Sequence, residues 1–302
     1  MNDLLQLTQI NKEYSSVKAV DNVSFSVAGG SIFGLLGPNG AGKTSLIRII
    51  TGITHADSGQ VLLNGLDTSV LKNPSIGYMP EERGLYKKMK VGEQLVYLCR
   101  LKGFTKKDAE AAVVYWMRKF EIESWWNKKI EELSKGMSQK IQFIATVVHK
   151  PSLIILDEPF SGLDPINSNL IKDEIIRLKN EGSSILFSTH RMEQVEEMCE
   201  EIVLMNKGKV VLNGHVNDIR NRFKENIYEI MTYEEIPESI YTSLKINNNK
   251  AKSIIIQLAE NQKLNDILKY LIDQNIQIKS LRELLPTFKD IFIRTVNEVN
   301  YE

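Results

Sequence analysis

The 302 residues contain two cysteines, eight prolines and four histidines, and no apolar run approaches the ~20 residues needed to span a bilayer. Cys99 and Cys199 have no CxxC or Cys/His spacing around them, which excludes a disulfide framework and a cysteine-held metal. They are expected to be reduced, buried or half-buried thiols of a cytosolic protein. Neither sign of charge is in excess, because 38 Lys and Arg balance 38 Asp and Glu. That balance argues against binding nucleic acid through a sequence-independent basic face. Residues 1–12 lack the basic and apolar regions of a signal peptide, so no export is expected. A membrane role would therefore need another chain to cross the bilayer.

What remains is an ordinary globular composition, 42% apolar and 25% charged, in a chain long enough for two domains of about 150 residues. Residues 6–27 alternate and carry Val23, Phe25 and Val27, which predicts a β-rich entry. Ile32–Leu36 is a continuously apolar run bounded by glycine, as expected of a strand buried on both faces. Residues 45–50 then start a helix that Gly52 can end. Residues 61–63 with Asn64-Gly65 predict a strand and a tight turn.

From Val91 the apolar period changes from 2 to 3.6. Val91, Leu95 and Leu98 share one face, and Ala109, Ala112, Val113, Trp116 and Phe120 another, which predicts a helical insertion over about residues 87–150. Thr105 before Asp108 resembles a capping box. Trp125 and Trp126 read as packing aromatics. Strand-like runs return at 153–156, 185–188 and 202–205 between helical stretches, predicting a mainly parallel α/β sheet. After Arg222 the composition shifts toward Ile and Asn. Strands near 227–231, 253–258 and 276–280, helices near 236–244, 263–273 and 286–296, and a turn at Asn247-Asn248-Asn249 predict a small α+β domain over 225–302 behind a first domain over 1–224.

Gly37-Pro38-Asn39-Gly40-Ala41-Gly42-Lys43-Thr44 fits GxxxxGK[ST] between a predicted strand and a predicted helix. Glycines let backbone N–H groups wrap phosphates at the helix N-terminus, Lys43 adds a full charge, and the Thr44 hydroxyl suits Mg²⁺. Residues 153–156 run apolar into Asp157 and Glu158. A solvated strand end would look the same, but a phosphate loop needs a carboxylate on a neighbouring strand tip. Asp157 suits the metal and Glu158 a general base. His190, ending another strand run, can contact the γ-phosphate and orient water.

Together these motifs resemble the ATP-binding subunit of ABC transporters over about residues 4–214. Leu133-Ser134-Lys135-Gly136-Met137 is similar to the LSGGQ signature, with Lys135 and Met137 in place of glycine and glutamine. Ser161-Gly162-Leu163-Asp164 resembles the D-loop, and His190 the switch histidine. Ser134 and Gly136 start a helix whose positive end is free to meet an anion; taken alone, this could be an ordinary capped amphipathic helix. The resemblance implies an ABC-type P-loop NTPase fold, a nucleotide contacted by Gly37 to Ser45, and signature residues that touch the ATP held by a second such subunit.

Tyr14 lies where the family stacks an aromatic on adenine, although a half-buried strand tyrosine reads the same way. Residues 76–81 resemble the Q-loop with Glu81 in place of glutamine, so Glu81 joins Thr44 and Asp157 as an expected Mg²⁺ ligand; a plain surface acid is the alternative. The run Pro80 to Tyr86 and the C-terminal stretch Leu285 to Phe292 resemble the subgroup of ABC-2-type exporters related to sodium-export subunits. The resemblance thus implies an ATP hydrolase on the cytoplasmic face of the cell membrane, driving a separate transmembrane subunit. The competing reading is a soluble ABC ATPase that remodels nucleic acid or ribosomes. One motif set, a modest insertion and no basic arm favour transport.

Overall fold

A computed structural model describes residues 3–71, 75–82, 84–244, 252–259 and 262–299. Two antiparallel strands open the chain, β1 (Asp3–Tyr14) and β2 (Val17–Ala28), followed by β3 (Ile32–Leu36) and α1 (Lys43–Ile50). Next come β4 (Ser58–Leu63), β5 (Leu66–Asp67) and β6 (Ile76–Met79). The helical insertion holds α2 (Val91–Leu101), α3 (Lys106–Lys119) and α4 (Lys135–Val147). Then β7 (Leu153–Asp157), α5 (Pro165–Asn180), β8 (Ser184–Thr189), α6 (Met192–Met198), β9 (Glu201–Asn206) and β10 (Lys209–His215) complete the first sheet system. The remainder is α7 (Val216–Arg222), β11 (Ile227–Thr232), α8 (Glu238–Ser243), β12 (Ser253–Gln257), α9 (Leu264–Asp273), β13 (Ile278–Leu284) and α10 (Phe288–Val299).

Two compact units divide between Val216 and Asn217, upstream of the compositional shift at Arg222. The charged helix α7 lies between the two points and carries no compositional mark of its own. No helix of the described residues is long and apolar enough to cross a membrane.

In the first unit, strands β10-β9-β3-β8-β7-β6 form one sheet and β2-β1-β4-β5 another. All pairings from β9 to β6 are parallel, so strand C-termini gather at one edge, where ligands of open α/β sheets bind. Every residue of β3, β7 and β8 is buried, as their apolar runs Ile32–Leu36, 153–156 and 185–187 require. Each such Leu, Ile or Phe contributes roughly 1.5–3 kcal/mol. The β4–β5 hairpin turns on Asn64 (φ 51°) and Gly65 (φ 74°), the left-handed pair that a two-residue turn demands.

The insertion follows the expected faces. Val91 and Leu95 of α2 and Ala109, Val113 and Trp116 of α3 are buried, and the Thr105 hydroxyl accepts from the Asp108 N–H at 3.2 Å as N-cap. The Trp126 ring lies against the backbone of Gly92, leaving no room for a Cβ there. Cys99 and Cys199 are free and buried.

The second unit is a three-stranded antiparallel sheet, β12-β11-β13, whose core holds Ile230, Ile254, Ile267 and Leu271. The third strand runs later than the expected 276–280. Ile276 is taken up by the end of α9, where its N–H bonds to Leu271 O at 3.0 Å. β13 instead continues through exposed Lys279, Ser280 and Arg282, a polar edge with no apolar alternation. A strand not expected from the sequence also emerges at β6, within the segment that resembles the Q-loop. The turn expected at Asn247-Asn248-Asn249 lies outside the described residues.

Candidate functional site

β3 delivers the chain to residues 37–42, and α1 takes it away with Leu46, Ile47 and Ile50 fully buried. Gly42 has φ 104°, and a Cβ there would stand 2.2 Å from Ala19 O, so only glycine fits. α1 has neither a side-chain cap nor an acid in its first turn. Its first N–H groups and the positive end of its dipole are therefore available to an anion. Lys43 is 8% exposed, and its Nζ donates to Gly37 O at 2.7 Å and to Pro38 O at 3.1 Å. Burial lowers its pKa, while Asp157, Glu158 and Glu81 pull the other way.

Two strand tips face this loop. Asp157 ends β7 beside Ser188 of β8, whose hydroxyl donates to Asp157 Oδ1 at 2.8 Å. Burial raises the Asp157 carboxyl, with Glu158 and Glu81 adding to the rise and Ser188 and Lys43 opposing it. Its Oδ2 is buried without a partner among the described residues. Such an orphaned oxygen in reach of a lysine and a phosphate loop suits a hard divalent cation. No cluster of three His, Cys, Asp or Glu among the described residues could hold a metal by itself. The donor set therefore fits Mg²⁺, which keeps water and substrate phosphate as most of its ligands.

Glu158 adopts φ 50° and is buried. Its Oε1 accepts from the His190 backbone N–H at 2.7 Å and lies 2.6 Å from His190 Nδ1, while Oε2 accepts from the Thr189 hydroxyl at 3.2 Å. A carboxylate only accepts, so Nδ1 carries the proton and Nε2 of a neutral ring keeps its lone pair. A positioned base and a histidine can together handle the proton of an attacking water.

Loop and strand tips enclose a cavity of about 570 Å³ that includes Asn39 to Ser45, Glu81, Asp157 and Glu158. Lys18 and Lys207 also line it and were not anticipated. Lys207 has φ 47° and precedes Gly208 in the turn after β9, so the Asn206-Lys207-Gly208 turn signal beside a buried strand could have marked it. Tyr14 is exposed at the end of β1, with Lys12 Nζ 5.4 Å from its ring centroid. It is not among the residues lining the cavity.

The remaining motif residues sit on two other helix starts. Ser134 caps α4, its hydroxyl accepting from the Met137 N–H at 3.2 Å, and Ser134 and Lys135 are exposed. The stem of Lys135 crosses the α-carbon of Gly162, bringing the signature segment onto residues 161–164. Asp164 caps α5, accepting from the Asn167 N–H at 2.9 Å, and hydrogen bonds from Asn167 hold its carboxyl below the usual range. The Ser161 N–H bonds back to Glu158 O at 3.1 Å.

Comparison with known proteins agrees with this geometry. Residues 20–161 match the ABC transporter family, and residues 214–296 match the C-terminal domain of DrrA1-3-like ATP-binding proteins. The uncharacterized ABC transporter ATP-binding protein YhaQ of Bacillus subtilis is 42% identical, covering 98% of this chain and 99% of its own. The ABC transporter ATP-binding protein NatA of the same organism is 32% identical over 77% of this chain and 95% of its own. A solved ATP-binding subunit of an ABC transporter superposes with TM-score 0.69 and 30% identity, covering 73% of this chain and 93% of that one. With the phosphate loop, paired strand-tip carboxylates and a near full-length relative in hand, the chain belongs to the ATP-binding subunits of ABC transporters, the family that binds ATP and hydrolyses it to power transport.

Proposed function

We propose that this subunit closes with a second ATP-binding subunit around two ATP molecules and thereby drives a separate transmembrane exporter subunit from the cytoplasmic face of the cell membrane. The observation that carries the reading is the juxtaposition of buried Lys43 with Asp157 and Glu158, three charges around one cavity at the C-terminal edge of a parallel sheet.

Lys43 and the N–H groups of Gly37, Pro38's successor Asn39, and Gly40 to Ser45 orient the β- and γ-phosphates and neutralise their charge. Thr44, Asp157 and Glu81 would hold Mg²⁺, which would supply further charge stabilisation to the phosphates. Glu158 accepts a proton as the water oxygen bonds to the γ-phosphorus and the bridging P–O bond to ADP breaks. His190 orients that water. Tyr14 stacks on adenine, and Lys18 and Lys207 add positive charge at the cavity mouth. Ser134, Lys135, Gly136 and Met137, with Ser161 and Asp164 beside them, meet the ATP of the second subunit. The N-terminus of α4, capped by Ser134 and without an acid in its first turn, suits that contact, since such a helix end attracts an anion.

An apolar cavity of about 540 Å³ supports the transmembrane partner. Leu85, Leu98, Leu101, Tyr78 and Ala145 are among its lining residues, and it lies beside Pro80, so it fits the apolar face of a partner helix. Isolation of the tagged chain from solubilised membranes should recover a membrane subunit in stoichiometric amount. Recovery of ribosomes or nucleic acid with no membrane subunit would overturn the proposal in favour of the remodelling reading.

A further inference from the structure

α4 carries three polar side chains on one buried stripe: Gln139 at 3%, Gln142 at 4% and Thr146 at 4% exposure. Their spacing, i, i+3 and i+7, keeps them on one helix face. That face meets the carbonyl ends of two strands. Gln139 Nε2 donates to Pro159 O at 2.9 Å, in the segment that follows Glu158. Gln142 Nε2 donates to Pro80 O at 2.7 Å, one residue before Glu81. A buried amide is a demanding choice for a helix core, because each unmatched polar atom costs its full desolvation. Gln142 indeed leaves its Oε1 without a partner among the described residues. A methionine of equal length would fill the space without that penalty, so packing alone does not account for the amide.

Gln142 also lines the apolar cavity beside Pro80, with Tyr78 and Leu98. One side chain thus touches three things: the groove, the carbonyl preceding Glu81, and the helix whose first turn is Ser134 to Met137. Because α4 is a continuous helix, moving its middle moves its N-terminus. We infer that Gln142 is a positioning residue, which ties the Glu81 loop to α4 so that the signature segment follows the state of that loop. The inference rests on the proposed role of Ser134 to Met137 toward the second subunit's ATP. The groups that face Gln142 are compatible with a neutral hydrogen bond there. His149, lining the same cavity, is held neutral by burial, its pKa pushed down to about 4. Lys102 is directed to Ile76 O at 3.4 Å.

The test compares Gln142→Met and Gln142→Glu in the full chain. The first removes the donor at constant length, and the second leaves a side chain whose ionised form only accepts, opposite a carbonyl. Steady-state ATP hydrolysis is expected to fall about tenfold in Gln142→Met and further in Gln142→Glu. ADP, which tests only the chain's own phosphate site, should bind both variants with one equivalent per chain and a Kd within about twofold of the parent. A purely packing role predicts instead that Gln142→Met hydrolyses ATP like the parent, and that result overturns the inference. So does a loss of ADP binding in step with hydrolysis, which would make Gln142 part of the local nucleotide site. Glu158→Gln serves as the control: if it too hydrolyses normally, the reading of the site itself has failed, whereas its arrest beside an active Gln142→Met rejects only the positioning role.

Discussion

The phosphate-loop side and the signature side of the first unit are built in opposite ways. Lys43, Asp157 and Glu158 are all at most 8% exposed, and their hydrogen bonds close on neighbouring loop and strand atoms. Ser134 and Lys135 are exposed, and the helix start they form has a serine cap and no acid in its first turn. The first arrangement is preorganised within one chain, so it can bind nucleotide alone. The second is an exposed helix start without an acid in its first turn, which on the proposed reading meets an anion held by the second subunit. Binding and turnover should therefore be separable by mutation, and the separation follows the two sides.

The largest effect should come from a paired comparison across that divide. Glu158→Gln keeps the shape and the acceptor oxygen but removes the base, and positioned general bases contribute ~10²–10⁴-fold. Its turnover should fall by that factor with ATP binding retained. Ser134→Ala removes the cap, which costs about 1 kcal/mol of stability, and withdraws the hydroxyl from its proposed contact with the second subunit's ATP. It should leave ADP binding unchanged and lower turnover by at least tenfold. Stopped ADP binding in Ser134→Ala, or near-normal turnover in Glu158→Gln, would erase the distinction.

The same divide governs what could be read from the sequence. Ile32–Leu36 and residues 153–156 were legible because a parallel strand buried on both faces leaves an unbroken apolar run, and the phosphate loop is a local pattern whose spacing carries its own geometry. β6 was obscured because its four residues merge with a loop motif and contain Gly77 and Tyr78. β13 was displaced because its exposed positions, Lys279 to Arg282, lack alternation. Its cross-strand ion pair, Arg282 to Glu229 at 2.9 Å, is an exposed one worth about 0–1 kcal/mol. Such a pair leaves little trace in composition. Lys18 and Lys207 were missed for a different reason: they converge on the cavity only through tertiary structure, one from the start of β2 and the other from the turn after β9. Gln139 and Gln142 fall in the middle of an amphipathic helix, where nothing local reveals that the polar face is buried.

Glu81 joins the two sides, since it lines the phosphate cavity next to the carbonyl that Gln142 holds. On the proposed role a carboxylate here would bind Mg²⁺ more tightly than an amide, while it also adds to the rise of the Asp157 carboxyl. Glu81→Ala should raise the Mg²⁺ concentration for half-maximal hydrolysis by about tenfold, roughly 1.4 kcal/mol, and Glu81→Gln by less. A Mg²⁺ titration of hydrolysis measures both. Unchanged Mg²⁺ dependence in both variants would return Glu81 to the status of a surface acid.

The smallest effect concerns the opposite end of α4. There His149 follows the helix C-cap Val148, where a cation would ordinarily be favourable. Burial, with Lys102 nearby, instead pushes its pKa down to about 4, while its Nε2 lies 3.4 Å from Ile76 O. The sign follows from proton uptake. The unfolded chain protonates this residue near pH 6.5 and the folded chain only near pH 4, so between those values the unfolded state binds more protons and acid erodes stability. Allowing for partial exposure, the loss is on the order of 1 kcal/mol between pH 7 and 4.5. Urea unfolding across that window should show the parent losing about that much more than His149→Gln, with nucleotide binding at pH 7 equal in both. Parallel pH profiles would mean that this end of α4 is not anchored by a neutral histidine, and the contrast between a fixed C-terminal end and an open N-terminal end of the signature helix would lose its support.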